Sequence, residues 1–91
     1  MADDGIKAVA YHVFRNKLEA LGLFEDPDHE CPYGCKMWRR AVMGLGSPYI
    51  PVAYDGDDEM IHPPTIRKVI ETFSVNASEW LAAPSDPPDD D

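Results

Sequence analysis

The feature that most constrains the fold is the spacing of apolar residues between positions 6 and 21. These residues recur every three or four positions, which places them on one face of a helix. Asp3 or Asp4 can cap the first turn, and Gly22 can end the helix in the left-handed conformation. The pattern therefore predicts a first helix with one buried stripe. The stripe consists of Ile6, Val9, Ala10, Val13, Phe14, Leu18 and Leu21, and the opposite, solvent face carries Lys7, Tyr11, His12, Arg15, Asn16 and Glu19.

In the stretch 29–45 a second helix is predicted to begin near Cys31 or Pro32. This stretch contains both cysteines and one of the two tryptophans of the chain. Pro32 suits a first helical turn, although Gly34 weakens that start, so the regular part can begin at Cys35. The apolar side chains then share one helical face, and glycines follow the stretch. The shared face consists of Trp38, Ala41, Val42 and Leu45.

The second half of the chain predicts two more helices. Pro63 and Pro64 open the first of them, and its apolar residues again follow the helical period. Asn76 followed by Glu79 has the spacing of a capping box and predicts a short helix through Ala82. The apolar stripe of the longer helix consists of Ile66, Val69, Ile70 and Phe73.

The segment 47–54 is predicted to be extended. Pro48 and Pro51 exclude a central strand, because proline has no amide proton for a ladder, and they leave an extended or edge segment. Asp55-Gly56 is a hairpin turn signal that allows residues 52–54 to pair with 59–61.

These elements predict a mainly α fold: a small single-domain bundle of three helices plus a short fourth, with a minor β-hairpin as an option. The 91 residues suit one helical domain at 1–83 with one modest core. Residues 84–91 have no apolar residue beyond their prolines, which predicts a disordered acidic tail. The expected core consists of Val9, Val13, Phe14, Leu18, Leu21, Trp38, Val42, Ile66, Val69, Ile70, Phe73, Trp80 and Leu81.

The charge of the chain favours a basic protein partner. Its net charge is -9, from 17 acidic and 8 basic residues. Such a surface repels phosphate, which disfavours direct nucleic-acid binding and anionic membranes. The chain has no long apolar run, and its start is acidic where a secretory signal is basic. We therefore expect a cytoplasmic protein with reduced cysteines. Its oligomeric state is left open.

The functional hypothesis is a non-enzymatic interaction protein that binds a basic surface of a partner. No catalytic motif is present. Size and charge resemble those of small acidic inhibitors and nucleic-acid mimics directed at nucleic-acid-binding machinery, many of them encoded by viruses. The alternatives are an assembly subunit, or acidity that serves solubility alone. The expected partner-binding residues are Asp55, Asp57, Asp58, Glu59, Glu25, Asp26, Asp28, Glu30 and Tyr54.

A second hypothesis is a small zinc-stabilised module. Cys31 and Cys35 with His29 and His62 would supply the sulfur and nitrogen ligands that tetrahedral zinc accepts. The competing interpretation places both cysteines in the core as small apolar residues. A redox pair and a calcium site at residues 55–59 lack the usual spacings. Our expectation is therefore no cofactor, with zinc as the alternative.

Overall fold

The computed structural model describes residues 5–27, 34–42, 44 and 46–85, and it shows a mixed α/β fold. The mainly α prediction is wrong, because these residues form two antiparallel sheets beside the helices. The helices are α1 (Tyr11–Ala20), α2 (Pro63–Thr72) and α3 (Ala77–Ala82). The strands are β1 (Val9–Ala10), β2 (Leu23–Asp26), β3 (Cys35–Arg40), β4 (Ile50–Ala53) and β5 (Met60–Ile61).

The larger sheet has the order β2-β3-β4, with β3 in the centre. In its register Trp38 lies opposite Glu25 on β2 and Ile50 on β4. The predicted second helix is therefore wrong over 35–40. The ladders on both sides hold the backbone of β3, and the two-residue alternation of a strand still brings Trp38 into the core. Val42, expected on the same buried face, is 86% exposed. Residues 31–33, 43 and 45 of the predicted helix lie outside the described residues.

The smaller sheet pairs β1 with β5, placing Val9 opposite Ile61 and Ala10 opposite Met60. The hairpin that the sequence allowed between 52–54 and 59–61 does not form, because β4 pairs with β3 and β5 pairs with β1. The extended or edge segment predicted around Pro51 is confirmed, since β4 is an edge strand of the larger sheet. Pro51 fits this edge because its missing amide proton does not interrupt a ladder there.

Helix α1 begins at Tyr11, later than the apolar stripe suggested. Val9 and Ala10 belong to β1, so the chain becomes helical only after them. The proposed caps Asp3 and Asp4 lie outside the described residues. Gly22 has a φ of 87°, which confirms the left-handed end expected from its position.

The two helices of the second half are confirmed. Helix α2 begins with Pro63 and Pro64, as expected of prolines in a first turn. Asn76 accepts a hydrogen bond from the Glu79 amide and Glu79 returns one to the Asn76 amide, which completes the capping box of α3. Within the described part of the chain no helix is long and apolar enough to cross a membrane.

One hydrophobic core joins the helices to the larger sheet. Val42 and Leu81 are wrong as core predictions, since they are 86% and 48% exposed. Most of the predicted helical core is confirmed, including Phe14, Leu18 and Trp80. Sequence reasoning omitted the strand contributions and Tyr11. The omitted core residues are Tyr11, Leu23, Ile50, Val52 and Ile61, while Ile6, placed in the predicted buried stripe but not in the expected core, is buried as well.

Candidate binding groove

Residues 55–59, here called the acidic loop, connect β4 to β5 and dock against the start of α1. The amide of Tyr11 donates to the Glu59 carbonyl at 2.8 Å, and the amide of His12 donates to the Asp57 carbonyl at 3.0 Å. These two amides belong to the first helical turn, where they have no partner within the helix. The loop therefore satisfies the helix start, and the helix fixes the backbone of the loop.

The side chain of Asp57 adds a second attachment. Its Oδ1 accepts hydrogen bonds from the Tyr54 hydroxyl at 2.9 Å and from Arg15 Nη1 at 3.3 Å. The Tyr54 hydrogen bond and the Arg15 charge hold the pKa of Asp57 below its ordinary value. His12 Nδ1 lies 3.9 Å from the carboxylate of Asp58, which is fully exposed. Asp57 is thus exposed but bonded to the protein, whereas Asp58 is fully exposed.

A buried hydrogen-bonded chain lies beneath the loop. The ring of Tyr54 packs edge-on against Tyr11, with centroids 4.7 Å apart. Trp38 Nε1 donates to the Tyr11 hydroxyl at 3.2 Å, and that hydroxyl donates to Glu25 Oε2 at 2.6 Å. Burial and the hydrogen bond to Glu25 raise the pKa of Tyr11 far above its ordinary value. The carboxylate of Glu25 is therefore engaged inside the molecule.

Asp26 is engaged internally as well. Its Oδ2 accepts a hydrogen bond from Arg39 Nε at 2.9 Å, and only 12% of the Asp26 side chain is exposed. The guanidinium of Arg39 also lies over the ring of Phe24, 4.5 Å from its centroid. Asp28 and Glu30, expected in the same partner-binding group, lie outside the described residues.

Four of the expected partner-binding carboxylates are exposed in the described structure: Asp55, Asp57, Asp58 and Glu59. Of these, Asp55 and Glu59 form no ion pair among the described residues. Tyr54 is half-buried and also lies beneath Lys36, whose Nζ is 4.8 Å from its ring centroid. Tyr54 therefore supports the loop and offers little surface of its own to a partner.

A groove opens beside the acidic loop, between β4, β5 and α2, with a cavity volume of about 340 Å³. We call it the β4–β5 groove. Apolar side chains of Ile50, Val52, Ile61 and Val69 line it, and all four are largely shielded from solvent. Asp55 and Glu59 lie where the loop joins the two strands, and His62 follows the far end of β5. Lys68 contributes a basic group from α2.

The described residues bring together no set of ligands that would support the zinc hypothesis. Cys35 is disulfide-bonded, which differs from the expected reduced thiol, and a disulfide sulfur is not the thiolate that zinc binds. His62 lies in the β4–β5 groove, while Cys31 and His29 lie outside the described residues. Within the described ranges no three histidine, cysteine or acidic side chains are placed to hold a metal ion, calcium at the acidic loop included.

Sequence reasoning missed the residues that support the loop and the groove. Tyr11, His12 and Arg15 were expected on the solvent face of a helix, but they contact the acidic loop or its supports. Only the edge-strand prediction around Pro51 pointed towards the groove.

The chain matches no family model, no curated protein and no solved structure.

Proposed function

We propose that the protein is a non-enzymatic interaction protein whose acidic loop binds a basic surface of a partner protein. The observation that carries the proposal is the exposure of the Asp55 and Glu59 carboxylates on a loop anchored to α1. A loop that is already held in one conformation loses little freedom on binding. Exposed carboxylates also attract a basic partner before contact and so raise the association rate.

The surface we propose is smaller than the one expected from the sequence. Asp55, Asp58 and Glu59 would contact the partner directly. Glu25, Asp26 and Asp57 are held by Tyr11, Arg39 and Arg15, so releasing them would cost the protein its own hydrogen bonds. We assign these three residues a supporting role in shaping the surface, although Asp57 is itself exposed.

Nucleic-acid-binding proteins are the partner class that we favour. They carry basic grooves, and the net charge of -9 opposes binding to nucleic acid itself. In this role the protein would act as an inhibitor that occupies such a groove.

Action in the cytoplasm remains part of the proposal, and the Cys35 disulfide gives it a separate test. Disulfides persist in oxidising compartments and are rare in the cytosol. Titration of free thiols in protein isolated under trapping conditions should show reduced cysteines if the protein works in the cytoplasm. Fully oxidised cysteines would indicate instead that the protein acts in an oxidising compartment.

Capture of partners from an extract of the source cells tests the binding proposal. Three forms are immobilised: wild type, the loop variant Asp55→Asn/Glu59→Gln, and the control variant Glu19→Gln/Glu71→Gln. Each variant removes two exposed carboxylates, so the two have the same net charge. We expect the wild type and the control to retain the same basic proteins, which leave as salt rises, and the loop variant to retain much less.

Equal retention by the loop variant and the control would show that total charge governs binding. That result would contradict a specific role for the acidic loop.

A further inference from the structure

The outer edge of β4 presents main-chain groups to the β4–β5 groove. Tyr54 donates to the Gly34 carbonyl at 2.8 Å, which continues the register of β3 with β4. In an antiparallel ladder the hydrogen-bonded pairs recur every second residue, so Val52 and Ile50 direct their main-chain groups towards β3. Pro51 and Ala53 consequently direct theirs outwards. Ala53 is the one residue of β4 that offers an outward amide proton, because Pro51 has none.

The facing edge of β5 has the same character. The bond from the Tyr11 amide to the Glu59 carbonyl extends the register of β1 with β5, in which Ala10 lies opposite Met60. By the same alternation Met60 directs its amide and carbonyl away from β1. Among the described residues, no strand pairs with either of these two edges. Both strands line the β4–β5 groove.

We propose that the β4–β5 groove binds an extended segment of the partner protein, which pairs with the outer edge of β4 and places a basic side chain against Asp55 and Glu59. Addition of a strand to a sheet edge is a common way of binding peptides, in which main-chain bonds give affinity and side-chain pockets give specificity. This inference rests on the proposed function, since it specifies the form in which the basic partner binds.

The lining of the groove determines the chemistry of the segment. Alternate side chains of a strand point to opposite faces, so an apolar residue can cover the shielded floor formed by Val52, Ile61 and Val69. The carboxylates of Asp55 and Glu59 at the loop end require a basic neighbour, and Lys68 accommodates an acidic one. A second copy of this chain fits poorly, because each copy carries a net charge of -9.

Two synthetic peptides test the inference: acetyl-Lys-Val-Thr-Val-Glu-amide and the reversed sequence, which covers the opposite strand direction. Each is titrated into the full-length isotope-labelled protein, and backbone amide shifts are followed by nuclear magnetic resonance. We expect one peptide to shift the resonances of Ala53 and Met60 in a saturable manner. The same peptide with N-methylated backbone amides should bind at least about threefold more weakly, because a methyl group removes its hydrogen-bond donors.

Two variants of β4 provide matched controls. Ala53→Pro removes the outward amide proton at a position equivalent to that of Pro51, and we expect about threefold to tenfold weaker peptide binding. Pro51→Ala adds an outward amide proton and should bind the peptide equally well or better. Thermal unfolding of both variants tests whether they fold. If Ala53→Pro does not fold, the N-methylated peptide still tests the main-chain hydrogen bonds.

The outcomes separate this inference from the proposed function. The strand inference is overturned if neither peptide shifts Ala53 or Met60, or if N-methylation and Ala53→Pro leave affinity unchanged. In the latter case a loss of affinity in Asp55→Asn/Glu59→Gln would still support the acidic loop. If main-chain changes weaken binding but neutralising the carboxylates does not, the proposed function fails instead. Self-association that depends on Ala53 would identify a second copy as the occupant and overturn the inference.

Discussion

At the scale of single residues, the hydroxyl of Tyr11 connects the core to the support of the acidic loop. This hydroxyl accepts a hydrogen bond from Trp38 and donates one to Glu25, while the ring of Tyr11 packs against Tyr54. The apolar pattern predicted Phe14 and Leu18 of the same helix correctly but left Tyr11 on the solvent face. Tyrosine combines an apolar ring with a polar end, so its burial depends on partners that are distant in the chain.

Replacing Tyr11 with phenylalanine should destabilise the protein by about 1–3 kcal/mol. The change leaves the indole N–H of Trp38 and the carboxylate of Glu25 without their shared partner in a buried site. Urea unfolding measures the effect. Tyr54→Phe is the control. It removes the same chemical group, but the hydroxyl of Tyr54 takes part in an exposed hydrogen bond to Asp57. Equal losses in the two variants would contradict the buried role of Tyr11.

Tyr11 also predicts a loss of stability in alkali. Its pKa is raised above the ordinary value of 10.0, chiefly by burial, so the folded protein keeps a proton that the unfolded chain releases. This contribution to stability is complete below pH 10 and is lost as the pH rises through and above that value. Burial lowers the pKa of Lys17, which acts in the opposite direction as the pH rises. Unfolding free energies measured between pH 8 and 11 should therefore fall less in Tyr11→Phe than in the wild type. Parallel curves would contradict the assignment.

Lys17 joins α1 to the end of α3. Its ammonium donates to the carbonyls of Trp80 at 3.0 Å and Ala83 at 2.8 Å, and only 8% of the residue is exposed. A cation at a helix carboxyl end satisfies carbonyls that lack partners within the helix. Lys17→Met should cost about 2–3 kcal/mol in thermal or urea unfolding, whereas Lys7→Met, on an exposed residue, should change stability little. A stability loss of similar size in both variants would argue against this contact.

At the scale of secondary-structure elements, local signals predicted α2 and α3, whereas β3 was missed. Proline at a helix start and a capping box act within a few residues, so the sequence displays them directly. The conformation of 35–40 depends on ladders to β2 and β4, whose paired residues lie up to 18 positions away in the chain, as Cys35 and Ala53 do. Tertiary pairing overrode a short apolar pattern that had the spacing of a helix.

The candidate site follows the same division. The sequence displays the charges of the acidic loop, and Asp55 and Glu59 were expected at the surface. Nothing local indicates that Arg15 would hold Asp57 or that Arg39 would hold Asp26, because those contacts depend on the packing of α1 and β3. The groove could not be predicted either, since it requires the separation of β4 from β5.

Hydrogen exchange should distinguish the two edges of β4. The amide of Val52 faces β3 and should be protected, whereas the amide of Ala53 faces the groove and should exchange at least about tenfold faster. On the central strand β3, the amides of Lys36 and Met37 should both be slow, because successive residues bond to opposite neighbours. Slow exchange at Ala53 in the isolated protein would show that something covers the β4 edge and would contradict a free groove.

At the scale of the whole molecule, charge and fold act together. The helices and the larger sheet form one core, and α1 uses its first turn to hold an acidic loop at the mouth of the β4–β5 groove. The net charge of -9 was evident from the sequence, but its division into engaged and exposed carboxylates required the fold. This division leaves Asp55, Asp58 and Glu59 as the acidic residues that we expect to contact a basic partner.

The most direct measurement of this central claim is the affinity of the captured partner at low and high salt for the wild type, Asp55→Asn/Glu59→Gln and Glu19→Gln/Glu71→Gln. We expect the wild type and the control variant to bind equally and to lose affinity steeply as salt rises. The loop variant should bind at least about tenfold more weakly at low salt and show a smaller dependence on salt. Unchanged affinity and salt dependence in the loop variant would contradict the acidic loop as the binding surface.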